Sequence, residues 1–191
     1  MSPLLLGILN SQAAGAAGGM DLLEENVLTS TASSVTFSSL GSYSDYRYLQ
    51  TRVVTRTTTT SVANGLLGVR LNGDSGLNYY TMYIFGNGSN PSAGFSTNQN
   101  YALMGLTNSA QNDTNAFGAH ILDFDRWNNT TDYTTIRSVG GRLDPQGTAY
   151  RGVSHRGATW KNTAALTSIQ FFDNRGYDFV AGSRFSLYGV K

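Results

Sequence analysis

The chain has 191 residues, enough for one domain with a real apolar core, and a formal net charge of +1 that creates no field drawing it to nucleic acid or an acidic surface. It has no cysteine, which excludes disulfides, thiolate catalysis and cysteine-based zinc sites and leaves packing and backbone hydrogen bonds to hold the fold. Only 13 % of residues are charged, while glycine (22 residues), Thr, Ser and Asn are abundant, the balance of a β-protein with many turns. The basic residues are nearly all Arg, with lysine only at 161 and 191, and Arg suits fixed bidentate contacts across interfaces.

Residues 1–20 differ in composition from everything that follows. A short apolar run, Leu4, Leu5, Leu6, Ile8 and Leu9 around Gly7, precedes an Ala/Gly tract from Ala13 to Gly19. The run is too short to span a bilayer. A secretory signal wants a positively charged start, and no Lys or Arg precedes Arg47, although the Ala/Gly tract resembles a small-residue cleavage site. The favoured expectation is a docking arm, an apolar plug on a flexible tether that is buried only against a partner. The alternative is a first strand tucked onto its own domain.

From residue 21 to 191 the pattern is strands and turns. Short strands are expected at Val27-Leu28 and Val35-Thr36-Phe37. A long one lies within Asp45 to Thr60, where Tyr46 and Tyr48 alternate with Leu49, Thr51 and Val53. Gly65 to Leu71 is next, ending in a turn at Asn72-Gly73, residues that tolerate positive φ. Tyr79 to Phe85 is an aromatic strand, and Gly86 to Asn100 is expected to be a long polar loop. Strands follow at Tyr101 to Leu106, Phe117 to Phe124, Tyr133 to Val139 and near Tyr150 to Ser154. Thr107 to Asn115 is expected to be a second polar loop, and Asp125 to Asn129 a turn. Alternation at Thr167-Ile169-Phe171 and Phe185-Leu187 marks a final pair around the turn Asp173 to Gly176. The chain stops at Lys191, so its last strand is expected to be held by its neighbours on the sheet, as an integral strand of the core. Nine or ten short strands and no convincing helix after Gly19 predict an all-β fold, an antiparallel β-sandwich or jelly roll.

Several phrases are familiar together: Ser33 to Leu40 (SSVTFSSL), Tyr46 to Gln50 (YRYLQ), Val69 to Asp74 (VRLNGD), Trp160 to Ala165 (WKNTAA) and Ala181 to Val190 (AGSRFSLYGV). Over most of residues 33–190 the chain resembles tailed-bacteriophage virion proteins whose jelly-roll-like domain ends in a Ser-x-Phe-x-Leu-Tyr-Gly strand. Leu5 to Asn10 is similar to the short head of the free-standing members. The resemblance implies a non-enzymatic structural component on the exposed surface of the head or tail. Such a component would be multimeric, with a trimer expected, and would work in capsid decoration or cementing or in a tail appendage. Its implied partners are other virion proteins, the major capsid protein or tail proteins, with no nucleic acid, membrane or cofactor. No catalytic residue comes with it.

The residues offer little chemistry of their own. Asp123 and Asp125 share a strand face and could bind a hard cation, but further ligands and EF-hand spacing are missing, so no metal is assigned. His120 lies in an apolar strand and His155 in a polar stretch, without HExxH or GxSxG frames. Trp127 and Trp160 stand at turns beside Asn and Arg. Exposed, with Asn128, they would stack on a host glycan or fill a partner's pocket; otherwise they cap the ends of the sandwich core. Two functions are therefore expected to compete. One is a decoration protein anchored by its arm; the other is a receptor-binding tip using the tryptophans and the Gly86–Asn100 stretch.

Overall fold

A computed structural model describes residues 19–143 and 151–191. Twelve strands appear among them: β1 Met20–Val27, β2 Ser34–Ser38, β3 Tyr48–Thr57, β4 Asn64–Leu71, β5 Tyr79–Gly86, β6 Pro91–Gln99, β7 Ala102–Ser109, β8 Gly118–Asp125, β9 Thr134–Arg142, β10 Gly152–Trp160, β11 Ser168–Asp173 and β12 Arg184–Val190. One turn of 3-10 helix, Leu40–Tyr43, interrupts them. Met20, grouped with the arm by composition, opens β1.

The strands form an antiparallel β-sandwich of two unequal sheets. The wide sheet runs β1-β12-β3-β8-β9-β10-β5-β6, and the narrow one β2-β11-β4-β7. They join where the end of β3 pairs in parallel with β7, Arg56 with Asn108 and Thr57 with Ser109. The chain changes sheet repeatedly, giving the expected jelly-roll-like pattern. β12 is held within the sheet as expected, with β1 paired on one side and β3 on the other.

Of the two expected loops, one folds as a turn followed by a strand and the other gives its first three residues to β7, each for a physical reason. Gly86 to Asn100 holds a turn, in which the Asn87 side-chain oxygen accepts from Ser89 N (2.9 Å) and Asn90 N (2.7 Å), and then β6. An edge strand wet on both faces has no alternation to display, and Pro91 is tolerated at its start. The polarity of Thr107 to Ser109 suggests a loop, yet they end β7, and only the rest of that stretch, up to Asn115, runs as turn and loop. Thr107 to Ser109 are buried at the sheet junction, where the Thr55 hydroxyl donates to Thr107 Oγ1 (2.9 Å) and the Thr107 hydroxyl donates to the Thr55 carbonyl. Arg56 secures the same corner, donating to the carbonyls of Ser109 and Asn112 (both 3.1 Å).

Alternation along the strands sends one set of side chains inward. Phe37, Phe171, Phe185 and Phe179 form a chain of ring contacts at 6.2, 5.5 and 5.1 Å, linking β2 and β11 of the narrow sheet to β12 of the wide one. The Asn72-Gly73 turn forms with φ of 52° and 67°, as its residue types predict. It is tied to the start of β11 because Asn72 Oδ1 accepts from Thr167 N (2.7 Å) and its amide donates to the Ala165 carbonyl (2.9 Å).

Beneath β7 the interior turns polar. His120, Ser138, Ser154 and Arg156 are buried there, on the inner faces of β8, β9 and β10. The His120 imidazole lies at 3.0 Å from the Leu106 carbonyl. Burial pushes its pKa down from 6.5 to about 4, with the Leu106 carbonyl opposing and the nearby Arg156 charge assisting. Between these values the unfolded chain binds a proton that the folded protein refuses. The stability of the neutral imidazole is therefore complete above pH 6.5 and lost as pH falls towards 4, by up to about 3 kcal/mol. Thermal melts from pH 7 to 4 should show this fall, and His120→Gln should flatten it.

Candidate functional site

Of the residues singled out in the sequence, Leu4, Leu5, Leu6, Ile8 and Leu9 lie outside the described residues. Trp127 and Trp160 do not form an exposed contact surface: each is 1 % exposed. Trp127 packs in the core with its indole N–H donating to the Tyr46 carbonyl (3.2 Å), and Trp160 closes the β4–β5 end with its N–H on Asp74 Oδ2 (2.7 Å). A large ring gains most by burial when its one polar atom finds an acceptor, and both rings do. This places them as core caps, with no face left for a sugar. Asn128 is exposed in the turn after β8, its amide reaching the Ser44 carbonyl at 3.4 Å. The rest of that turn is satisfied internally, through the Arg126–Asp132 ion pair and the Asn129 side-chain oxygen, which accepts from Thr131 N (2.6 Å).

The carboxylates are likewise occupied. Asp123 accepts from Gln50 (2.9 Å) and Arg137 (3.5 Å), and Asp125 caps Arg126 N (2.9 Å). Among the described residues no three His, Asp or Glu side chains gather as a metal site would require. Asp74 is held below its ordinary range: burial alone would raise it, but hydrogen bonds from Trp160, Asn78, Gly76 N and Asn162 outweigh that.

The feature the fold leaves open is the outer face of the wide sheet. Strand register sets its side chains in rows. Phe95, Met82, Gly157 and Arg137 are neighbours on β6, β5, β10 and β9. The next row runs Ala93, Ile84, His155, Val139 and Ile121, and the one after it Pro91, Gly86, Val153, Gly141 and Ala119. Phe95 is 76 % exposed, Val153 69 %, Met82 64 % and Ile84 61 %, with Val139 and Ile121 also open. The surface between them holds two adjoining depressions of 880 and 610 Å³, which share Ile84, Ala93 and His155. Two glycines among these side chains have free outer sides, since a Cβ at Gly86 or Gly157 would meet nothing within 4 Å, whereas Gly141 is covered by Val153.

Taken at ordinary side-chain areas, these six exposed apolar residues present roughly 700 Å², above the 300–600 Å² of the largest patch on a typical monomer. Such a surface is mostly apolar, with the exposed His155 standing in its middle row. It gains free energy when another surface removes it from water. A signal for it existed in the sequence, because β5 (YYTMYIFG) and β8 (GAHILDFD) carry apolar residues on both faces. A strand wet on one face does not need that.

No protein-family model matches the chain, and no curated protein matches it either. Among solved structures it is similar to the CBM40 module of the Ruminococcus gnavus IT-sialidase, determined with α2,6-sialyllactose bound. The two share 11 % identity over 88 % of this chain and 93 % of that one, at a TM-score of 0.35.

Proposed function

We propose that the protein is a non-enzymatic structural component of a bacteriophage virion, a decoration or cement protein on the capsid surface. The N-terminal arm attaches it to the particle, and contacts between copies reinforce that attachment. The observation that supports this reading is the apolar outer face of the wide sheet: what the fold leaves unsatisfied is contact area, not a reactive cleft. The resemblance of the strand and turn phrases to virion proteins supplies the setting. A decoration protein acts by burying surface across neighbouring subunits, so many copies bound together give an effect that one weak contact cannot.

Gold-labelled antibody on intact particles tests the location, with label expected over the head. Deleting residues 1–19, which stops short of β1, should abolish attachment while leaving the melting temperature of the domain within a few degrees of the full chain. Incorporation of the truncated protein at the normal level would rule out attachment through the arm. Label confined to the tail would favour the receptor-binding alternative, in which Asn128 and its turn, rather than the buried tryptophans, are the first positions to change.

A further inference from the structure

We propose that the outer face of the β6-β5-β10-β9-β8 part of the wide sheet is a self-association surface, occupied in solution by another copy of this chain. The inference deepens the proposed function by naming what covers that face, and its biological meaning rests on that reading.

Three observations favour a second copy over other occupants. The first is area: roughly 700 Å² of apolar surface, before counting Pro91, Ala93 and the glycine backbone, approaches the ~800 Å² that each partner contributes to a standard stable interface. The second is charge. Arg137 is offset by its own Asp123 at 3.5 Å, and Arg52 lies over the Tyr188 ring (4.8 Å) at the margin of the face. A face pressed against a copy of itself meets like charges unless its centre is close to neutral. Here the rows through Ile84 and Val153 carry no Asp, Glu, Lys or Arg from β6 to β8, and Arg52, which keeps its charge, stands at the margin beside Ile121. A nucleic-acid or strongly acidic partner finds no matching charge on it. The third is relief. Phe95, Met82, Ile84, Val139 and Val153 project beside the open outer sides of Gly86 and Gly157, so ridges and troughs occur on the same surface. A second copy brings ridges of the same size to those troughs, as facing sheets do when their side chains interdigitate.

Sedimentation velocity on the full chain, over a range of concentrations, reads the outcome. The wild type should sediment as a concentration-dependent oligomer. Ile84→Glu with Val153→Glu should weaken association by about 100-fold, the scale of losing central anchor residues from an interface. Gly157→Lys, which enters open space and so spares the fold, should weaken it independently. Thr36→Glu, exposed on the outer face of the narrow sheet, should change nothing. Circular dichroism should be the same for all four proteins. A wild type that stays monomeric at ~100 μM, or an oligomer indifferent to both face variants, would overturn the proposal. Should that monomer still label particles, with the face variants abolishing the label, the face would belong to the capsid contact; self-association would be overturned while the proposed function stood. An oligomer broken by the face variants but absent from every particle would do the reverse.

Discussion

Trp160→Ala is expected to cost the fold about 5 kcal/mol, combining the cavity left by a large buried ring with the loss of a hydrogen bond to a carboxylate. Native stabilities are commonly 5–15 kcal/mol in total, so the variant should melt roughly 15 °C lower or fail to fold. The position explains the size. Trp160 ends β10 opposite Tyr79 and Thr134, and its N–H is one of the donors that fix Asp74 in the β4–β5 turn. The same carboxylate accepts from Gly76 N (2.8 Å) and the Asn78 amide (2.9 Å), so the turn and the end of the core are one unit. Trp160→Phe separates the two contributions. It keeps most of the ring volume, removes the donor, and should cost about 1–2 kcal/mol. It should also make the protein's stability less dependent on acid. A carboxylate held below its ordinary 3.8 stabilises the fold above that pH and loses the effect as pH falls through its folded value. With one donor fewer, the folded-state value moves back up, less of this stability exists to be lost, and the gap between variant and wild type should narrow from pH 7 to pH 3. Melts at pH 7 and pH 3 for both variants measure this. Equal acid sensitivity in Trp160→Phe and wild type would show that the hydrogen bond has no energetic role.

Gly140→Ala should be nearly as damaging, although it adds one methyl group. Gly140 on β9 is the direct neighbour of His120 on β8, and a Cβ there would collide with the His120 ring and the Ala119 carbonyl (2.5 Å). From the other sheet, Gly105 on β7 closes on the same ring, where a Cβ would lie 2.5 Å from Cε1. The imidazole is therefore clasped between two glycines and has no direction in which to retreat. Overpacking such a site costs about 3 kcal/mol, a fall of roughly 10 °C in Tm. The measurement that isolates the cause is a double-mutant cycle with His120→Ala. Removing the ring should return most of the penalty, giving a coupling of about 1–3 kcal/mol between neighbours. Simple additivity would place the cost in the backbone contact with Ala119 instead.

The strand pattern was largely legible in the sequence because alternation and turn chemistry are local. β3, β4 and β11 show it, as do the Asn72-Gly73 and Asp173–Gly176 turns, and Gly176 has the positive φ (82°) that its place requires. Legibility failed where tertiary position overrides composition. β6 is polar because it lies at an edge, and Thr107 to Ser109 are polar yet buried because two sheets meet there. The two tryptophans show the limit for site prediction: residues beside turns in sequence are at the surface or at the end of a core depending on which strands cover them. The open face was harder still. Its parts, Phe95 within a supposed loop, Val139, and Val153 beside a glycine, come together only through the order β6-β5-β10-β9, which no local signal encodes.

The pairing of β1 with β12, Met20 against Val190 and Val27 against Arg184, bears on how the protein is made. β12 fills the slot between β1 and β3, and Phe185 and Leu187 on it belong to the buried core. Until that strand arrives, the flank of β3 is an open edge and the aromatic chain through Phe171 and Phe179 lacks its middle ring. Closure therefore waits on contacts between strands almost the whole described chain apart, the topology that folds slowly and exposes unpaired edges meanwhile. Production at low temperature and modest rate should then raise the soluble fraction more than changes to buffer or salt.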